Sequence, residues 1–488
     1  VNSRKIRPVV KYVPPRAPWP WQKEARDKMR GRKVFALLMA MRTGKTKTLL
    51  DDYGELEAEG LCVNLMVTAP GGVYETWRTA AEEELSSGLL SRMTIHVWTS
   101  GNGVGERRRR RAFMEARGPR LLVMNIEALS SVEEARQMAV DFLSSAVSML
   151  AVDESTTIKN SGARRSKFVI KSLGPLAAYR RILSGLPSPR SPLDVYAQFA
   201  FLDWRIIGHR SEWTFKMRYA IQVRRQFGGR SFLVVTGYQN VEELQKLIEP
   251  YSYRKLLEDC YELPEKMYSI RYVDMTPEQR RLYKELKEFA TTQIASEKHV
   301  TATIVIVQML RLHQILCGHV VDEEGVEHSV PENKTRALLD LLEEYDGKAI
   351  IWCSYDADIL KVSAALDKEY GKGSCARFWG GNRREREAEE RRFKGDPACR
   401  FMAATPAAGG KGRMWAVANL VIYYSSTNDL EHRSQSEERP QAVNKKDHVS
   451  YVDLICRGTV EEKFLHALRQ KINLSSMITG DSWREWVV

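Results

Sequence analysis

Short apolar runs separated by amphipathic stretches organise the first part of the chain. VFALLMA (34–40), CVNLMVTAP (62–70), MTIHVWT (93–99), RLLVMNI (120–126), SMLAVDES (148–155) and YRRILSG (179–185) each have the length of a strand. Their near-continuous hydrophobicity, without strict alternation, predicts strands covered on both faces, hence a parallel sheet flanked by helices over residues 18–205. Residues 1–17 are basic and carry Pro8, Pro14 and Pro15, which suits an extended lead-in. From 206 to 330 the pattern changes. WTFKMRYAIQVRRQF, VEELQKLIEPY, TPEQRRLYKELKEFA and IVIVQMLRLHQIL space their apolar residues like helices, and Thr276, Pro277, Glu278 and Gln279 form a helix start. A helical region is therefore expected there. The α/β rhythm resumes over 331–488 in KAIIWCS, ARFWGG, RFMAATP, NLVIYYSS and VSYVDLI, predicting a second lobe.

A length of 488 residues calls for two or three cores. The 75 Lys and Arg residues outnumber the 62 acids, and a net charge of +13 favours a polyanionic partner. The cysteines are scattered and never form Cys-x-x-Cys, as expected of reduced thiols in a cytosolic compartment. His313, Cys317 and His319 lie close together among leucines and isoleucines, which reads as a buried helix and not as a metal site. No apolar run has the length of a membrane span, and no charged-then-apolar leader opens the chain. The expectation is a soluble protein of the bacterial or virus-infected cytoplasm, or of the nucleus if the cell is eukaryotic.

Gly44, Lys45 and Thr46 stand between an apolar strand and a helical stretch, where a phosphate-binding loop belongs. In such a loop backbone N–H groups cradle phosphates, the lysine reaches the β/γ oxygens and the hydroxyl holds Mg²⁺. Met39 occupies the place of the first glycine of the general pattern, so the match is partial. Further on, Asp153 and Glu154 end an apolar strand. There Asp153 would hold Mg²⁺ and Glu154 would orient or deprotonate the attacking water. ATP and Mg²⁺ are the expected cofactors.

The remaining motifs follow in the order of the Swi/Snf-type ATPases of helicase superfamily 2, which the chain resembles over roughly residues 15–475. Trp21-Gln22 resembles the adenine-reading glutamine motif, VTAPGGVYETW a segment beside a DNA strand, DESTTIKN the DEAH-type box, and RRILSGLPSP the coupling motif. LPEKMYSIRYVDMTPEQRRLY is similar to the join after the first lobe, and FWGGNRREREAEERRF, ATPAAGGKGRMW and YYSSTNDLEHRSQSEER resemble motifs of the second. The resemblance implies two RecA-like lobes, with ATP bound between them. Lys45, Asp153 and Glu154 from one side would meet Gln435 and Arg439 from the other, and Gln22, Arg42, Thr43, Gly44, Lys45, Thr46, Lys47 and Gly412 would surround the nucleotide. It also implies phosphate-directed contacts to double-stranded DNA through Pro70, Trp77, Asn125, Lys159, Asn160, Trp379, Arg386 and Thr405, with core packing an equal reading for the two tryptophans.

Three positions depart from the family pattern. Arg42 replaces a glycine, Ser184 replaces threonine, and Ala442 stands where the sixth motif usually has its second arginine. Arg439, Arg413 or Lys445 could supply the missing charge, which acts chiefly in the transition state. The expected activity is a DNA-stimulated ATPase that translocates on duplex DNA. A helicase or branch-migration enzyme acting on forked or single-stranded DNA, and a DNA-binding scaffold with impaired ATPase, are the alternatives. Arg107 to Arg111 is the densest charge run and reads either as a solvated helix face or as a nucleic-acid contact.

Overall fold

The structure, a computed structural model, describes residues 11–465 and 468, except 72–73, 102, 186–190, 228–229, 262–265, 297–301, 323, 410–413, 427–428, 443–444 and 446. Its described residues form two compact units, one comprising 11–222 with 235–261, the other 223–234 with 262–465 and 468.

In the first unit, β1 (Val34–Met39), β2 (Asn64–Ala69), β3 (Thr94–Val97), β4 (Arg120–Asn125), β5 (Ser148–Asp153) and β6 (Tyr179–Leu183) are the six apolar runs read from the sequence. Between β6 and the next sheet strand comes a two-stranded ribbon, β7 (Ala220–Phe227) and β8 (Arg230–Tyr238), of which residues 223–234 belong to the second unit, after which β9 (Ser252–Lys255) returns to the sheet. The sheet order is β3-β4-β2-β5-β6-β1-β9, and every recorded pairing is parallel. Alternate residues feed two cores. Ala36 and Leu38 pack on one face with Leu122, Val152 and Ile182, while Phe35, Leu37 and Met39 pack on the other with Leu65, Val123 and Ala151. Both faces are covered, which is why these strands are hydrophobic throughout.

The second unit is built alike. Its sheet runs β10-β17-β16-β13-β15-β14, from β10 (Lys266–Tyr272), β13 (Lys348–Trp352), β14 (Cys375–Phe378), β15 (Phe401–Ala404), β16 (Ala418–Tyr423) and β17 (Val449–Ile455), again with parallel pairings. A short hairpin, β11 (His319–Val321) and β12 (Glu327–Ser329), stands apart from it. The fold is thus α/β with two RecA-like lobes.

The stretch 206–330 is less helical than its spacing suggested. It contains the helices Glu212–Tyr219, Val241–Ile248, Pro277–Ser296 and Ala302–Leu316, but also the β7–β8 ribbon, β9 and β10. AIQVRRQF, at the end of a helically spaced run, forms β7 instead. The strand β9 is only four residues long and β10 is an edge strand, with Met267, Tyr268 and Tyr272 exposed, so neither shows a buried apolar run in the sequence.

Candidate active site

Parallel sheets present their working residues at the carboxyl ends of the strands. At that edge of the first unit lie the loop after β1, Pro70 after β2, Asn125 ending β4, and Asp153 ending β5. Gly44 caps the helix Lys45–Ala58 with φ +84°, a left-handed conformation that favours glycine. A Cβ there would stand 1.9 Å from the Gln22 amide nitrogen, so any side chain would displace the Gln22 amide from the loop. Gln22 is buried and donates to the carbonyls of Thr43 (3.4 Å) and Gly44 (3.3 Å), while its own oxygen accepts the Trp19 N–H (2.8 Å). The glutamine motif and the phosphate loop are therefore one constellation.

The Lys45 ammonium donates to the carbonyls of Met39 (2.8 Å) and Ala40 (3.2 Å) at the end of β1. Thr43 closes the loop through its hydroxyl, which donates to Ala40 O (2.8 Å). Thr46, half-buried, follows in the first turn of the helix, whose N-terminal N–H groups suit an anion. Arg42, where the family has glycine, holds φ +68°. A left-handed non-glycine residue costs about 1–2 kcal/mol, so the loop keeps the glycine's conformation without the glycine.

Asp153 and Glu154 meet this loop from β5. Burial raises the Asp153 carboxyl above its ordinary range, and the nearby Lys45 charge, the Trp77 indole N–H and the Glu154 N–H oppose that rise. The indole donates to Oδ2 (3.0 Å) and the Glu154 N–H to Oδ1 (3.0 Å), which fixes the carboxylate plane. Glu154 itself is left-handed, φ +47° and ψ +62°, and turns off the strand line into the turn Ser155–Ile158. Backbone strain of this kind collects at working sites.

Two of the expected ligand residues turn their side chains inward. Trp77, expected beside a DNA strand, is 2% exposed and spends its one polar atom on Asp153. Its ring packs in the core because the helix Thr76–Glu84 turns that face inward. Lys47, expected at the nucleotide, is buried and pairs with Asp51 (3.1 Å) and Glu84 (3.5 Å). Each helical residue rotates the side chain by about 100°, so Lys47 leaves the loop side that Lys45 occupies.

The other expected nucleic-acid contacts are distributed over both sheet edges. Pro70 is buried, Asn125 accepts the Ala128 N–H (2.8 Å), Lys159 is half-buried, and Asn160 is exposed with its oxygen accepting the Gly162 N–H (2.9 Å). In the second unit Trp379 follows β14 half-buried, and Arg386 donates to its carbonyl (2.7 Å) with the guanidinium 5.3 Å from the Phe378 ring centre. Thr405 follows β15 and is buried. Of the arginine run, Arg110 is a core anchor, 4.0 Å over Trp98 and paired with Glu134 (3.0 Å), while Arg107, Arg108, Arg109 and Arg111 are exposed.

The sixth-motif residues lie on the helix Leu430–Glu437 and just beyond it. Asp429 caps this helix, accepting from the N–H groups of Glu431 (3.0 Å) and His432 (3.3 Å). Gln435 is buried, and buried Arg439 donates from Nε to the Gln435 carbonyl (2.8 Å). The Lys445 ammonium donates to the carbonyls of Ala416 (2.9 Å) and Pro440 (3.1 Å). Gly412 and Arg413 lie outside the described residues. Gly409, in the glycine-rich fifth motif, is required by packing: a Cβ there would come within 2.7 Å of Trp415 and 2.9 Å of Trp352.

Some important residues carried no local signal. Tyr261 joins Trp19 and Trp21 edge-on, at centroid distances of 5.9 and 5.2 Å, beside the glutamine motif. Arg433 forms a bidentate pair with Asp453 (2.6 and 3.0 Å), bonds Glu437 (2.6 Å) and lies 3.4 Å over the Tyr423 ring, locking the Gln435 helix to the sheet. Only Asp453 was detectable beforehand, as an acid inside the apolar run VSYVDLI. His313 lies buried in the last turn of the helix Ala302–Leu316 and Cys317 in the turn after it, with Glu461 beside them, whereas His319 opens β11 and so falls outside the expected helix. The Lys334 ammonium bonds the Glu461 carboxylate directly, so this cluster already contains its cation.

A model of the SNF2-related domain matches residues 24–320. The putative ATP-dependent helicase/translocase YwqA of Bacillus subtilis is 24% identical over 348 residues, covering 68% of this chain and 36% of that protein. The TATA-binding protein-associated factor MOT1 of Saccharomyces cerevisiae is 24% identical over 389 residues, covering 67% of this chain and 20% of its own length. The chain thus spans about a third or a fifth of these relatives. Among solved structures, the Sulfolobus solfataricus SWI2/SNF2 ATPase core in complex with dsDNA aligns over 98% of this chain and 97% of its own, at 20% identity and a TM-score of 0.41.

Proposed function

The chain belongs to the SNF2-related family of ATP-dependent enzymes, and from that premise we propose that it is a DNA-stimulated ATPase that translocates on double-stranded DNA. The observation that carries the proposal is the convergence of Gln22, Lys45 and the Asp153–Glu154 pair on one sheet edge, with Asp153 held by Lys45's charge and Trp77's indole.

In this reading the Lys45 ammonium leaves the β1 carbonyls for the β/γ phosphates, and the helix N-terminus at Gly44 receives the remaining phosphate charge. Gln22, fixed over Gly44, reads the base. Glu154 orients the attacking water and accepts its proton. The Thr46 hydroxyl and the Asp153 carboxylate are hard oxygen donors of the kind Mg²⁺ takes, and a cation there would favour the ionised Asp153 that burial disfavours. When bound, the ion neutralises phosphate charge during transfer. Gln435 and Arg439 keep the roles that the family resemblance implies, Arg439 stabilising charge on the transferred phosphoryl group. The basic balance of the chain and the exposed arginines around Arg108 support a partner held through phosphates.

The test is ATP turnover without DNA, with blunt duplex and with single strands, across a salt series. Duplex should stimulate, and stimulation should fall steeply with salt. Lys45→Ala should abolish turnover while the protein still melts cooperatively. Stimulation by single strands alone would replace translocation with strand separation, and turnover indifferent to DNA would refute the motor reading.

A further inference from the structure

The helix Glu212–Tyr219 is apolar on two sides. Phe215 and Tyr219 are fully buried in the first unit's core. Trp213 and Met217, one turn apart on another side, are 65% and 49% exposed. The apolar stripe continues onto the foot of the β7–β8 ribbon. There the Gln239 N–H donates to Tyr219 O (3.0 Å), and a Cβ on Gly237 would lie 3.8 Å from the Ile221 Cβ. Residues 221 and 237 therefore stand opposite each other, and Val235, two residues along, shares the face of Ile221. Both are exposed.

Charge identifies what such a face can bind. The part of the segment His209–Tyr238 that belongs to the first unit carries Arg210, Lys216 and Arg218 against Glu212 alone. Lys216 and Arg218 are partly engaged, by Glu212 (2.6 Å) and by Glu243. An uncovered tryptophan in a segment so rich in cations matches a polyanion with accessible aromatic faces. Unpaired nucleobases have such faces, whereas a duplex hides them in its stack.

We propose that the outward side of the helix Glu212–Tyr219, centred on Trp213 and backed by Met217 and Ile221, is a stacking platform for an unpaired DNA strand. It is separate from the duplex contacts expected at the sheet edges, and it rests on the DNA-motor reading. A motor with this platform engages a fork or a displaced strand as well as duplex.

Fluorescence anisotropy with a labelled oligothymidine, a blunt duplex, and the same duplex with single-stranded tails tests the platform. Trp213→Ala should weaken oligothymidine and fork binding about tenfold, the worth of one base stacked on an aromatic ring. Trp213→Tyr should recover most of the affinity. Met217→Glu, which sets an anion beside the ring, should mimic the alanine variant. Blunt-duplex affinity, DNA-free turnover and melting temperature should stay unchanged, because Trp213 is exposed. Unchanged oligothymidine and fork binding in Trp213→Ala, as a face serving a protein partner would give, overturns the platform. So does an equal loss on blunt duplex. If the wild-type protein binds no DNA and no DNA stimulates its turnover, the motor reading itself falls.

Discussion

Replacing Trp77 with phenylalanine separates a tryptophan that touches DNA from one that holds the Asp153 carboxylate for the proposed chemistry. The substitution keeps a buried aromatic ring and removes the N–H that reaches Asp153 Oδ2 at 3.0 Å. A hydrogen bond to an ionised group is worth about 1.5–3 kcal/mol, and each 1.36 kcal/mol is tenfold in rate. Asp153 is half-buried, so water can replace part of the lost bond, and the lower end applies: about a tenfold loss of turnover. Since the indole opposes the burial-driven rise of the Asp153 carboxyl, the acid limb of the pH–rate profile should move to higher pH in the variant. A shortened ring also leaves a small cavity, lowering stability by about 1–2 kcal/mol. The assay is turnover titrated with Mg²⁺ and pH, beside DNA affinity by anisotropy. The Mg²⁺ requirement should rise and DNA affinity should hold. Unchanged turnover together with weaker DNA binding would refute the reasoning and return Trp77 to the DNA path.

Lys47→Met leaves Asp51 and Glu84 with only their arginine partners, Arg26 and Arg16, and should cost up to about 3 kcal/mol of stability, read by thermal melting, with ATP affinity unchanged. Burial raises the Glu461 carboxyl, but Lys334 and His313 outweigh it and hold it down at about 2, against an ordinary 4.5. A depressed acid stabilises fully above its ordinary pKa and loses that contribution as pH falls through the folded value, so about 3 kcal/mol should disappear between pH 4.5 and 2. Glu461→Gln should start less stable and lose less on acidification, as melting curves across that range would record; parallel losses would exclude the pair as the cause. Arg439→Ala should reduce turnover by orders of magnitude with little change in ATP affinity, measured by nucleotide titration beside steady-state rates. A harmless Arg439→Ala would mean that the sixth motif is aligned on the wrong residues.

The lobes were readable because strands buried on both faces must be apolar throughout, and that demand is local: VFALLMA, RLLVMNI and SMLAVDES announce themselves. The turn after β1 was equally readable, since Gly44 takes a left-handed conformation that favours glycine where its helix begins. Edge strands answer to no such demand, which hid β9 and β10 among helices.

The direction of each side chain was decided by the tertiary structure. Trp77 and Lys47 stand in motif-like surroundings that suggest a ligand for each, yet helix phase turns one toward Asp153 and the other toward Asp51 and Glu84. Arg110 reads like its four arginine neighbours and differs only because Trp98 and Glu134 lie against it. Tyr261 reaches Trp19 and Trp21 from the far end of the first unit because β9 returns the chain beside β1. Apolar periodicity and loop chemistry are carried by neighbours in the chain, so the sequence alone contains them. Partners in an ion pair, a ring contact or a carboxylate's hydrogen bond are chosen by packing between distant segments, and only the folded chain brings those segments together.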